Sequence, residues 1–110
     1  MRSDIPRWLA ALNDEDIQFL KRFLLVSGSL KALAEAYGVS YPTVRARLDR
    51  LIAKVTAADD ASVTDPFRRQ VQILLADGVL GADMARVLLD AYKRALKERE
   101  SRGGKEEHED

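Results

Sequence analysis

The chain has 110 residues, of which 46% are hydrophobic and 33% are charged, and its 18 basic and 18 acidic side chains leave no net charge. This length and composition predict one small globular unit with a single core. The absence of cysteine excludes a disulfide scaffold, a thiolate metal site and a cysteine nucleophile.

The residue types that common catalytic and metal sites need are scarce. The one histidine, His108, lies in an acidic terminal run, so neither a Ser-His-Asp arrangement nor a histidine-bound metal has its central group. We therefore expect no enzyme, no cofactor and no metal ion. The longest apolar run, residues 8–12, is far shorter than the ~20 residues that cross a bilayer, and no apolar stretch follows Met1. We expect a cytoplasmic protein that does not contact a membrane.

Apolar side chains recur at helical spacing nearly throughout the chain. The sequence therefore predicts an all-α fold. The first four helices each begin at a residue that favours a helix N-terminus: Pro6, Asn13, Ser29 and Ser40. Gly38 ends the third helix, and the fourth covers about residues 41–55.

The composition changes after the fourth helix. Residues 57–64 are small, acidic and β-branched, which is typical of a linker that follows a domain at 1–56. Asp65 and the proline after it mark a new helix start, and two glycines mark a later turn. Residues 65–99 are therefore predicted to form an antiparallel helical hairpin. Residues 100–110 contain no apolar side chain and are predicted to be a disordered acidic tail.

The third and fourth helices have the side-chain sizes of a helix-turn-helix. Ala34 is small where the two helices approach closely, Gly38 can adopt positive φ in the turn, and Val39 and Val44 fill the angle between the helices. The predicted fold is a tri-helical helix-turn-helix core with a C-terminal helical hairpin. In this fold the fourth helix is the recognition helix, which enters the major groove of DNA.

Basic side chains concentrate in this region although the whole chain is neutral. Residues 29–54 hold five basic and two acidic side chains, and four of the five basic ones lie on the fourth helix. The outward front of that helix has short side chains, with Arg45 and Arg47 on its flanks, which suits close approach to base edges and phosphates. The predicted DNA-contacting residues are Ser40, Tyr41, Thr43, Arg45, Arg47, Arg50, Lys31 and Lys54.

Several of these residues also have a purely structural interpretation. Arg45 can pair with Asp49 one turn along the helix. Tyr41 lies near the core edge of the helix, where packing explains it equally well, and Ser40 is first of all a cap. The charge pattern alone therefore leaves the recognition surface open.

The same region resembles a known family. The run GVSYPTVRARLDRL at residues 38–51, within FLLVSGSLKALAEAYGVSYPTVRARLDRLI, is similar to the signature of a prokaryotic helix-turn-helix family, the domain of unknown function twenty eighty-nine. The resemblance covers residues 13–55 well and 65–99 loosely. Family members often carry an N-terminal zinc ribbon with paired cysteines, which this chain lacks. The helix-turn-helix also resembles the last DNA-binding region of sigma factors, which by analogy implies a role in transcription.

These observations predict a sequence-specific protein that binds double-stranded DNA and regulates transcription. A single helix-turn-helix contacts few base pairs, so we expect a homodimer that forms through residues 65–99. The other interpretation of this hairpin is that it packs back on residues 1–56 and completes one core. The alternative function is a helical interaction module that contacts RNA polymerase, a sigma factor or another protein without reading DNA.

Overall fold

The computed structural model describes the backbone of residues 4–109 and the side chains of residues 4–103, and every regular element within these limits is an α-helix. The six helices are α1 (Arg7–Ala10), α2 (Asp14–Leu25), α3 (Leu30–Tyr37), α4 (Tyr41–Ala58), α5 (Pro66–Ala76) and α6 (Ala82–Glu109). The predicted all-α fold is confirmed. None of the described helices is both long and apolar enough to span a membrane.

The helix starts that the sequence predicted are confirmed by their hydrogen bonds. The Asn13 side chain accepts a bond from the Asp16 backbone N–H at 2.8 Å, and the Asp16 carboxylate accepts one from the Asn13 N–H at 3.1 Å. This reciprocal pair is a capping box at the start of α2. The side chains of Ser29, Ser40 and Asp65 cap α3, α4 and α5 by accepting hydrogen bonds from backbone N–H groups of the first turn, without a reciprocal bond. Local sequence therefore determines where these helices begin.

The turn between α3 and α4 has the left-handed backbone that the sequence predicted at Gly38. Its φ is 67° and its ψ is 34°, and the Val39 N–H closes the turn by donating to the Ala34 carbonyl at 3.0 Å. The prediction for the Val39 side chain is wrong, because 43% of this residue is exposed. Its side chain lies on a surface groove described below, whereas Val44, the other residue predicted to fill the angle, is buried.

One hydrophobic core joins the first four helices. Its buried members are Leu12, Phe19, Leu30, Leu33, Ala34, Val44 and Leu51. Helix α2 turns a different face to this core than its apolar pattern suggests, because Asp16 is buried whereas Ile17 and Leu24 are exposed. Asp16 faces inward because it binds basic side chains of α4. An ionic contact thus helps to set the rotation of α2 about its axis.

The chain folds back on itself after α4. Helix α4 ends at Ala58, a few residues later than predicted, and α5 packs along it. Ala58 of α4 and both Val71 and Ile73 of α5 are buried. Residues 59–65 connect the two helices, and the Arg69 guanidinium donates to the Val63 carbonyl in this connection. The first half of the hairpin therefore packs against the helix-turn-helix, whereas α6 packs mainly against α5.

One carboxylate fixes both helices of the hairpin. Asp65 caps α5, and its other carboxylate oxygen accepts a hydrogen bond from the Tyr92 hydroxyl of α6 at 2.6 Å. The Phe67 and Tyr92 rings stack beside it, with centroids 4.4 Å apart. The hydrogen bond lowers the pKa of Asp65 and raises the pKa of Tyr92. The angle between α5 and α6 is therefore tied to the first turn of α5.

Helix α6 extends far beyond the rest of the fold. It has 28 residues and continues ten residues past its predicted end at Arg99, where the sequence predicted a disordered tail. Glutamate, lysine and arginine favour helix even without apolar neighbours, which explains the difference. Asp110 and the tail side chains after Gly103 lie outside the described residues. The radius of gyration is 19.5 Å, whereas a compact domain of this length has about 13 Å.

We expect Gly38→Val to destabilise the protein by roughly 1–3 kcal/mol, because a β-branched residue is strained at positive φ. No atom lies within 4 Å of the Cβ position at Gly38, so steric clash adds nothing to this strain. Gly38→Asn is the matched control, since asparagine adopts the left-handed conformation more readily. Urea unfolding measures both variants. Equal stability of Gly38→Val and the parent would contradict the strained turn.

Candidate nucleic-acid interface

The first turn of α4 is exposed and held by its own hydroxyl groups. The Ser40 Oγ accepts a hydrogen bond from the Thr43 N–H at 3.3 Å and lies 2.8 Å from the Thr43 Oγ1. Tyr41 is half exposed between them in sequence. The predicted residues Ser40, Tyr41 and Thr43 therefore lie together at the exposed N-terminal end of the recognition helix.

The outward front of α4 is lined by short or neutralised side chains. Its exposed members are Pro42, Ala46, Asp49 and Ala53. Arg45 lies beside this front and forms a salt bridge with Asp49, with 3.0 Å between nitrogen and oxygen. Both partners are about half exposed, so the pair contributes only about 0.3–0.5 kcal/mol. Arg45 can therefore exchange this carboxylate for a phosphate at small cost.

Among the basic residues predicted to contact DNA, Arg50 and Lys31 are both exposed and unpaired within the described part of the chain. Both are exposed, and neither forms a salt bridge with any side chain that the structure describes. Arg50 lies on α4 and Lys31 in the first turn of α3. These two positive charges are free to meet anions in solvent.

The prediction that Lys54 contacts DNA is wrong. Only 4% of Lys54 is exposed, and its Nζ binds the Asp16 carboxylate at 2.6 Å and the Asp77 carboxylate at 3.2 Å. Lys54 follows Leu51 by three residues and precedes Ala58 by four, so it lies on the buried side of α4. This spacing was the sequence signal for burial. Lys54 links α4 to α2 and to the end of α5.

The two charges of the Lys54–Asp16 pair stabilise each other. Burial desolvates the ammonium and opposes its charge, but hydrogen bonds to Asp16 and Asp77 prevail and raise the pKa of Lys54. Burial likewise opposes the charge of Asp16, and the Lys54 ammonium with the Asn13 N–H outweighs it and lowers the pKa of that carboxyl. Both groups are therefore ionised at neutral pH.

Arg47 is drawn toward α2 and away from the front of the recognition helix. Its guanidinium lies 3.6 Å from the Asp16 carboxylate and 5.5 Å from the centroid of the Phe19 ring. The residue remains partly exposed. Arg47 must therefore leave a carboxylate and an aromatic face before it can contact DNA, unlike Arg50.

A groove of about 580 Å³ runs between α2 and α4. Phe19, Tyr37 and Val39 line it together with Arg47, Arg50 and Arg22. Sequence reasoning missed Arg22, whose guanidinium lies 4.9 Å from the centroid of the Tyr37 ring. The sequence signal for Arg22 was its position one turn after Phe19 on α2, which places the two side chains on the same side of that helix. Among the described residues there is no group of three or more potential metal ligands.

We expect Lys54→Met to lower the free energy of unfolding by about 3 kcal/mol, because it leaves the buried Asp16 without its ammonium partner. Lys93→Met, on the exposed surface of α6, is the matched control and should be close to neutral. Asp77→Asn keeps the Asp16 contact and should cost less, which serves as the readout if Lys54→Met does not fold. Chemical denaturation measures all three. A neutral Lys54→Met variant would contradict the structural role of the pair.

We expect the Lys54–Asp16 pair to contribute to the pH dependence of the free energy of unfolding. The Asp16 pKa is lowered by folding, so its contribution is complete above the unfolded pKa near ~4 and is lost as pH falls through the folded value. The Lys54 pKa is raised, so its contribution is complete below ~10 and is lost only as pH rises through the folded value. Protonation of Asp16 relieves the unpaired buried charge in Lys54→Met, so the stability difference between parent and variant should be largest near neutral pH and should shrink as pH falls. A difference that grows in acid would contradict this assignment.

Comparison with known protein families matches one segment of the chain to a family. Residues 12–58 match the family described as domain of unknown function (DUF2089)-HTH. The match begins at the last core residue before the Asn13 cap and ends with α4, so it covers the tri-helical core of α2, α3 and α4. The searches of curated proteins and of solved structures found no match. Residues 12–58 thus match the helix-turn-helix of this family of unknown function, as the sequence predicted.

Proposed function

We propose that this protein binds double-stranded DNA with α4 in the major groove and acts as a transcriptional regulator. The observation that carries the proposal is the exposed front of α4, where short side chains lie between Arg45 and Arg50. A helix with such a front can approach base edges closely while its flanking arginines reach guanine or phosphate. The family match to a helix-turn-helix supports the same function.

The basic residues differ in how readily they can contact DNA, because some are exposed and unpaired among the described side chains and others form salt bridges. Arg50 and Lys31 are open to solvent and are the first candidates for phosphate contacts. Arg45 follows once it releases Asp49, and Arg47 once it releases Asp16. With Lys54 buried, one copy offers few phosphate contacts, so we propose that two copies bind two half-sites.

The groove between α2 and α4 favours a second candidate function. Its lining combines apolar side chains with three arginines and two carboxylates, Asp14 and Glu15, which are features that a partner protein can use. In this alternative the helix-turn-helix contacts RNA polymerase, a sigma factor or another protein and does not read bases. Its arginines would then contribute to a protein interface, and the affinity for DNA of any sequence would be low.

Selection of bound fragments from the source genome distinguishes the two functions. A regulator enriches fragments that share a motif, and its affinity for that motif exceeds its affinity for scrambled DNA by about 10³-fold or more. An interaction module enriches no motif even at low salt and passes through a heparin column at moderate salt. The absence of an enriched motif would refute the regulator.

We expect Arg50→Ala to reduce the slope of log K against log salt by about one, because each phosphate contact contributes about 0.9. Lys93→Ala, which removes an exposed positive charge on α6, is the control and should leave the slope unchanged. Salt titrations on a selected site and on scrambled DNA separate the roles. A uniform loss marks a phosphate contact, and a loss of about 1–3 kcal/mol on the selected site alone marks base reading. Binding like the parent on both would remove Arg50 from the interface.

Removal of Asp49 should strengthen DNA binding. Asp49→Asn releases Arg45 and removes a negative charge from the front of α4, so we expect affinity to rise about two- to fivefold at low salt, the scale of one exposed ion pair. Asp59→Asn, at the far end of α4, changes the same charge outside the proposed interface and serves as control. Equal gains from both variants would indicate a general charge effect, and a loss of affinity from Asp49→Asn would contradict the proposed front.

A further inference from the structure

One face of α6 is apolar and is left uncovered by the part of the chain that the structure describes. It consists of Met84, Leu88, Ala91 and Ala95, with Val87 beside them. The four main positions are spaced by four, three and four residues, the spacing of a coiled-coil seam. We call these four residues the α6 seam. Helix α6 packs on α5 through a different face, where Ala85 is buried, so the seam is free for another contact.

The exposure of the seam is large for apolar side chains. Met84 is 54% exposed, Val87 58% and Leu88 37%, and both alanines are exposed. The seam belongs to a helix about 42 Å long that projects from the fold. An exposed apolar stripe of this kind marks an interaction surface.

Two copies of the α6 seam that run in opposite directions have complementary side-chain sizes. Two copies related by a two-fold axis near the middle of the seam place Met84 against Ala95 and Leu88 against Ala91. Each layer then combines one long and one small side chain, which lets the two helices approach closely along their whole contact. We propose that the α6 seam joins two copies of this chain as an antiparallel helix pair.

A parallel pair fits the same residues poorly. It would place methionine against methionine and leucine against leucine at one end, and alanine against alanine at the other. The helices would be held apart at the wide end and would leave the alanines without contact. In the antiparallel pair the run of charged residues that begins at Lys97 lies beyond the partner's seam, opposite the turn between α5 and α6. The order of sizes along the seam therefore favours the antiparallel arrangement.

Cysteine substitution tests both the seam and its direction, and the chain has no cysteine of its own. In the antiparallel pair Met84 of one copy lies beside Ala95 of the other, whereas the two Met84 residues lie about 16 Å apart along the axis. A short bifunctional thiol reagent should therefore link the double variant Met84→Cys/Ala95→Cys into dimers and leave each single variant unlinked. Linked single variants would establish a parallel pair and overturn the proposal. No linkage in any variant would also overturn it.

Light scattering on the full chain provides the second readout. The parent should be a dimer, and Leu88→Asp, which places a charge in the middle of the seam, should be a monomer with unchanged helix content. Arg86→Asp, on the opposite surface of α6, is the control and should remain a dimer. A monomeric parent, or a dimeric Leu88→Asp, would refute the seam. The proposed dimer rests on the proposed function only for its use in binding two half-sites. Its oligomeric state is measured without DNA, so either proposal can fail while the other stands.

Discussion

The Lys54 ammonium is the contact on which the arrangement of the helices depends. It lies on the buried side of α4 and binds one carboxylate at the start of α2 and another at the end of α5. An apolar side chain at this position would leave the carboxylates of Asp16 and Asp77 without their shared cation. Asp16 in turn caps α2 and also meets Arg47, so the recognition helix, its neighbour and the hairpin share one ionic centre.

The same contact explains why fewer basic side chains are available to DNA than the sequence contains. Lys54 is used inside the fold, and Arg47 is partly used at its edge. The remaining positive charge lies mainly at Arg50, Lys31 and the paired Arg45. A modest charge per copy is consistent with a protein that reaches useful affinity by placing two copies on one site, which is the use we propose for the α6 seam.

Local signals in the sequence predicted the helix starts and the glycine turn, because caps and positive φ depend on residues within one turn. They could not predict contacts between residues far apart. Asp16 and Lys54 are separated by 38 residues, and only the folded chain shows that they meet. That contact turns α2 so that Ile17 faces solvent, against its apolar pattern. The seam was missed for a related reason, since the sequence pattern does not show which face of α6 is covered by α5.

The hydrogen bond between Tyr92 and Asp65 makes α6 a lever with its pivot on the first turn of α5. From Tyr92 to the end of the helix the axis extends about 26 Å, so a rotation of about 10° at the pivot moves the tip by about 4 Å. In a symmetric pair such a displacement occurs twice, once in each copy. A small change at this partly buried hydroxyl is therefore amplified along α6 into a displacement of several ångströms at the far end of the helix.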